Sequence, residues 1–124
     1  MRRLPLLLVG LAFACAMPAQ AAAPLSRVQV VALEFHYRLS RVRVPAGPVR
    51  IELANFGQDE HDLTLQRVGS STVYQLPKAL PGSREILNLR LKPGVYHLAC
   101  SLADHAALGM HSQLRVVAPK PPRR

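Results

Sequence analysis

Aromatic residues make up only 5% of this 124-residue chain and tryptophan is absent, so there is little to stack against nucleic-acid bases. The formal charge of +9 invites such a partner all the same. Yet the Lys and Arg residues are scattered along the chain with no basic helix, and nucleic acid is set aside. No apolar run reaches the ~20 residues that a transmembrane segment needs; the run from Leu6 to Ala16 is followed by Pro18 and Gln20 instead. Helix signals and internal repeats are lacking too. Cysteine is scarce, with two in the whole chain.

What is present at the start reads as a targeting signal. Met1-Arg2-Arg3 is a short basic opening, Leu6 to Ala16 an apolar stretch, and Ala19-Gln20-Ala21 an A-x-A cleavage site, so a signal peptide is predicted over residues 1–21. Arg2-Arg3 also permits a twin-arginine leader. A lipid anchor on Cys15 is disfavoured, because Ala12-Phe13-Ala14 lacks the Leu usual three positions before a lipidated Cys. Ordinary secretion, to the periplasm or an equivalent space, is the expectation. Cleavage takes the two leader arginines and lowers the charge from +9 to +7. It also takes Met1, Cys15 and Met17, leaving Cys100 and Met110 as the only sulfur residues of the mature chain. No internal disulfide can then form, and a lone thiol in an oxidising compartment is a liability unless something occupies it.

Residues 22–118 read as one domain of strands. Val28 and Val30, Val42 and Val44, and Val49, Ile51 and Leu53 each alternate with polar neighbours. Further runs at Leu63-Leu65, Thr72 to Tyr74, Leu87 to Leu91, Val95 to Cys100 and Leu114 to Val117 are divided by turn signals at Pro45 to Pro48, Gly57, Gly69, Pro77, Pro81-Gly82 and Pro93-Gly94. About eight short strands with frequent turns predict an all-β Greek-key sandwich. The closing residues 119–124 read as a disordered basic tail.

Cys100, His105 and Met110 then stand out, since a thiol, an imidazole and a thioether fall within eleven residues. Soft sulfur donors together with imidazole suit copper, whereas thioether is a poor zinc ligand. A second imidazole is offered by His61, after the turn at Asn55-Phe56-Gly57. Successive strand side chains point to opposite faces, so His61 should face inward with Leu63 and Leu65, and Cys100 with Leu98 and Tyr96. His36, placed on the first strand, and His97, out of phase with Cys100, should face solvent; so should His111.

The order Asn55-x-Gly57, His61-x-Leu63, Pro93-Gly94-x-Tyr96, Cys100, His105 and Gly109-Met110 resembles the cupredoxins, the small blue copper proteins typified by plastocyanin, azurin and rusticyanin. Glu34-Phe35, the turn from Val44 to Gly47 and the strand from Val49 to Leu53 extend the resemblance. It implies a single Cu(I)/Cu(II) ion held by His61, Cys100 and His105, with Met110 as a weak axial ligand. It also implies that Asp62 and Ser101 hydrogen-bond and tie the two ligand loops together. Two departures from many relatives are Ala103-Asp104 in place of Pro-Gly before the loop His, and Ser112 in place of Gly. The carboxylate of Asp104 should favour oxidised copper and lower the reduction potential.

The implied function is that of a monomeric one-electron carrier. His105 would lie at the solvent edge of copper, and Ala106, Ala107 and Leu108 would dock on a redox partner, for which the positive charge favours an acidic face. The competing reading is a periplasmic protein for copper delivery, storage or resistance. Hydrolase chemistry is disfavoured, since no third residue is placed to orient His105 and no oxyanion-forming motif is evident.

Overall fold

Alternation of period two becomes strands along the whole domain. The computed structural model describes residues 14–18, 22–121 and 123. The described residues form nine strands: β1 (Ser26–Leu33), β2 (His36–Leu39), β3 (Arg43–Pro45), β4 (Gly47–Asn55), β5 (His61–Arg67), β6 (Val73–Ala79), β7 (Arg84–Leu91), β8 (Gly94–Ala99) and β9 (His111–Val117). They build two sheets, ordered β2-β1-β4-β7 and β3-β9-β8-β5-β6. Paired neighbours are antiparallel except β1 with β4 and β3 with β9. No helix among the described residues is long and apolar enough to cross a membrane. The signal peptide expected over 1–21 lies outside the described residues save for 14–18, and so do Pro122 and Arg124 of the tail.

The inner faces meet in one core. Val28, Val30 and Ala32 of β1 and Val49, Ile51 and Leu53 of β4 face Leu63 and Leu65 of β5, Leu98 of β8 and Leu114 and Val116 of β9, all of them buried. Each Val, Leu or Ile side chain among them contributes about 1.5–3 kcal/mol relative to leaving it in water. That is what fixes the register, because a slip of one residue would turn every one of them outward.

Three local readings change. The first strand ends at Leu33, and Glu34 and Phe35 form a turn, so His36 opens a separate strand, β2, paired back on Leu33. Pro77, expected to divide two strands, lies inside β6. It is tolerated because β6 is the outermost strand of its sheet and owes no hydrogen bond on its free side. Val42 shares the phase of Val44 yet precedes the three-residue β3 and is 66% exposed.

The ends of the strands position the candidate site. β1 and β4 finish, and β5 and β9 begin, at the end of the sandwich where β8 delivers Cys100.

Candidate metal centre

His61 opens β5 and is fully buried, in phase with Leu63 and Leu65 as its alternation requires. The register of β5 against β6 shifts between His61 and Leu63. Such an irregularity re-aims side chains, and here Asp62 is buried as well, at 2% exposure, although it stands between two inward residues. Cys100 follows the last residue of β8 and is buried in phase with Leu98 and Tyr96. His105 sits in the turn that follows, and Met110, fully buried, leads into β9. The backbone closes this loop on itself. Cys100 N–H donates to Met110 O at 3.1 Å, Met110 N–H to His105 O at 3.0 Å, and His105 N–H to Leu102 O at 3.1 Å.

The four sequence candidates are thereby gathered at one end. One donor atom each from His61, Cys100 and His105 lies within 4.8 Å of the others. Cys100 Sγ is 3.6 Å from His105 Nδ1, and the two imidazole centroids are 5.1 Å apart. Nδ1 of His61 is buried and has no hydrogen-bond partner. A buried polar atom without a partner costs roughly 1–3 kcal/mol, a cost that a ligand on Nδ1 would offset. Two imidazole nitrogens, one sulfur able to ionise and one thioether make a donor set that fits copper. His36, His97 and His111 are exposed, as expected.

The other nitrogen of His61 is engaged. Nε2 lies 3.3 Å from Glu34 Oε1, and the same oxygen accepts the backbone N–H of Asp59 at 2.8 Å and that of Gln58. These bonds, the one from Asp59 first, hold the Glu34 carboxyl below the usual carboxylate range. A carboxylate behind a ligating imidazole fixes its tautomer and ring orientation. Gly57 makes the approach possible, since a Cβ there would collide with Glu34 Oε1. Asn55 shapes the same loop, donating to Asp59 O at 2.7 Å and Ala79 O at 2.9 Å and accepting Gly57 N–H at 2.9 Å.

Asp62 and Ser101 do join the two ligand loops. Asp62 Oδ1 accepts Ser101 N–H at 2.7 Å, and Oδ2 accepts the Ser101 hydroxyl and Gln75 Nε2. The hydroxyl of Tyr37 donates to Asp62 O. Burial raises the Cys100 thiol above its ordinary range, while hydrogen bonds from the backbone of Asp62 and Leu102 draw it back down. Burial above all pushes the Tyr37 hydroxyl well above its ordinary range, and the neighbouring Cys100 and Asp62 add to the shift. Phe35 packs against both imidazoles, 4.8 Å from the His105 centroid and 6.4 Å from that of His61. Glu34, Phe35 and Tyr37 were not singled out for these roles in the sequence. All three lie on the β1–β2 hairpin, which meets the ligand loops only in the folded chain.

A model of the cupredoxin-like domain matches residues 5–110. The chain belongs to the cupredoxin-like family. No curated protein matches the sequence. Among solved structures, this cupredoxin is similar to rusticyanin, at TM-score 0.63 and 19% identity over 78% of this chain and 80% of that one. Auracyanin A, a "blue" copper protein of Chloroflexus aurantiacus, aligns at TM-score 0.61 and 14% identity over 76% of this chain and 100% of that one. The fold recurs inside a larger protein too. The copper-containing nitrite reductase of Thermus scotoductus aligns at TM-score 0.55 and 17% identity, over 78% of this cupredoxin and 32% of the reductase.

Proposed function

We propose that this cupredoxin holds one copper ion through His61, Cys100 and His105, with Met110 as axial ligand, and carries single electrons in an exported compartment. The observation that carries the reading is the buried, partnerless Nδ1 of His61, on a residue that clusters with Cys100 and His105. Copper in such a site supplies a one-electron couple, and the residues around it hold both oxidation states in one geometry. Glu34 locks one imidazole, the backbone bond from Met110 N–H to His105 O fixes the loop that carries the other, and the core keeps water from Cys100. A protein that delivers copper must open its site to a recipient. Here His61 and Met110 have no exposed surface and Cys100 has 2%, which favours keeping the metal. The leader expected over residues 1–21 would place the domain outside the cytoplasm.

His105 is the route outward. Its side chain is 12% exposed, with Nε2 4.0 Å from Asp59, and Leu108, three residues on in the same turn, is 53% exposed. Small, transient redox contacts use such a patch. Net charge alone favoured an acidic partner face, but charge is not spread evenly. Five of the seven carboxylates, Glu34, Asp59, Glu60, Asp62 and Asp104, lie in the segments that carry or touch the ligands. The partner is therefore proposed to meet this end with an apolar face and a basic rim.

The test is the visible spectrum of the protein loaded with Cu(II). An intense thiolate-to-copper charge-transfer band is expected, and Cys100→Ser should abolish it. A folded, fully metallated protein without the band would overturn the copper assignment. Reversible one-electron voltammetry, with copper retained against a moderate-affinity Cu(I) chelator, is expected of the carrier; rapid loss to the chelator with irreversible electrochemistry would assign delivery instead.

A further inference from the structure

Basic residues that are scattered in the sequence converge at the end of the sandwich opposite the metal cluster. β5 begins at His61 and finishes at Arg67, while β7 reaches the same end at Leu91, just after Arg90 and before Lys92. There Arg67, Arg90 and Lys92, with Ser70, Thr72 and Tyr74, line a cleft of about 100 Å3. No carboxylate lines it, and none of the three cations is paired with a carboxylate among the described residues.

The cleft is built, not merely charged. Arg67 is half-buried, its stem laid over Gly94 so closely that a Cβ there would stand 2.9 Å from Arg67 Cδ. Its guanidinium reaches Pro93 O at 3.5 Å. Buried Tyr96 donates its hydroxyl to Lys92 O at 2.9 Å and accepts Lys92 N–H at 3.1 Å, which fixes the turn that carries Lys92. On the facing wall Ser70 N–H bonds Arg67 O at 3.0 Å, Thr72 N–H bonds Ser70 Oγ at 3.1 Å, and Gln66 Nε2 bonds Ser70 O at 2.9 Å. The hydroxyl protons of Ser70 and Tyr74 have no acceptor among the described residues, so they remain free to donate into the cleft.

Three cations and two free hydroxyl donors on one small concavity are complementary to a tetrahedral oxyanion. We propose that this cleft binds a phosphate group, of the class carried by an anionic phospholipid headgroup or by free phosphate. The ligand would be held at the far end from His105, so a cupredoxin seated on a phosphate-bearing surface keeps its redox end turned away.

Titration of inorganic phosphate into the copper-loaded protein, followed by NMR, should shift the signals of Arg67, Ser70 and Lys92 to saturation. The double variant Arg90→Ser/Lys92→Ser changes exposed residues only and should weaken binding about tenfold or more, as loss of charge-assisted hydrogen bonds requires. Arg38→Ser/Arg115→Ser removes the same charge elsewhere and should change it less than about twofold. In a second arm, sedimentation with phosphatidylglycerol vesicles is compared with phosphatidylcholine vesicles. Preference for the anionic vesicles that is lost in the cleft variant and kept in the control assigns the phosphate to a lipid headgroup; saturable binding of phosphate without vesicle binding assigns it to the free anion. Binding in neither arm, or an equal loss in both variants, overturns the proposal. The copper spectrum of each variant reports that its fold is intact.

Discussion

At the scale of single residues, Glu34 decides how His61 meets a metal. Its Oε1 faces His61 Nε2 at 3.3 Å and also accepts from the backbone of Asp59 and Gln58, so one carboxylate holds the ring and the loop in front of it. With the proton kept on Nε2, the lone pair of Nδ1 is left for copper, and negative charge behind the ring makes that lone pair a stronger donor. Stronger donation favours the oxidised ion. Glu34→Gln keeps an oxygen acceptor of nearly the same shape but removes the charge. We therefore expect the reduction potential to rise and Cu(II) affinity to fall by about 10–100-fold, the usual cost of altering such an outer contact. Voltammetry together with competition against a Cu(II) chelator checks this. An unchanged potential with weaker binding would show that Glu34 shapes the loop without tuning the metal.

At the scale of elements, the site depends on two loops from different strands staying in register, and Asp62 is the tie between them. It bonds both the backbone and the hydroxyl of Ser101, and Gln75 on β6, from a position 2% exposed. Asp62→Ala would leave those donors buried without acceptors and should destabilise the metal-free protein by roughly 2–4 kcal/mol. Asp62→Asn retains an acceptor for Ser101 N–H and should cost less than about half of that. Denaturant unfolding of the two variants tests the order; an Ala variant as stable as the Asn variant would mean that the core alone aligns the loops. Much of this was legible beforehand. The inward phase of His61 and Cys100, the loop positions of His105 and Met110 and the pairing of Asp62 with Ser101 followed from alternation and resemblance, because strand phase is a local property. What stayed hidden depends on the assembled sheet. Pro77 reads as a breaker until β6 is seen to be an edge, Asp62 reads as a loop residue until β5 shifts register, and the grip of Glu34 on His61 spans 27 residues with no local signal.

At the scale of the whole molecule, net charge is a poor guide to what either end attracts. Read along the chain, Lys and Arg look evenly scattered. In space, Arg67, Arg90 and Lys92 gather around the far cleft while Asp59, Glu60 and Asp104 border the ligand loops. A strand of eight residues such as β1 spans about 26 Å at about 3.3 Å per residue. The Debye length at physiological ionic strength is about 8 Å, so a reactant approaching His105 senses mainly the near end. Electron exchange with a cationic cobalt complex should therefore be fast at low ionic strength and slow as salt is added, whereas an anionic iron–cyanide complex should react slowly and gain or hold its rate. The overall charge, +7 once the leader is removed, predicts the reverse. Stopped-flow rates across a salt series decide between the two, and the slopes should shrink in Asp59→Asn/Asp104→Asn, which removes carboxylates from the redox end alone. If the anionic reagent is instead the faster and the one slowed by salt, with the double variant unchanged, then the long-range field of the basic end governs approach and the partner's docking face must be acidic.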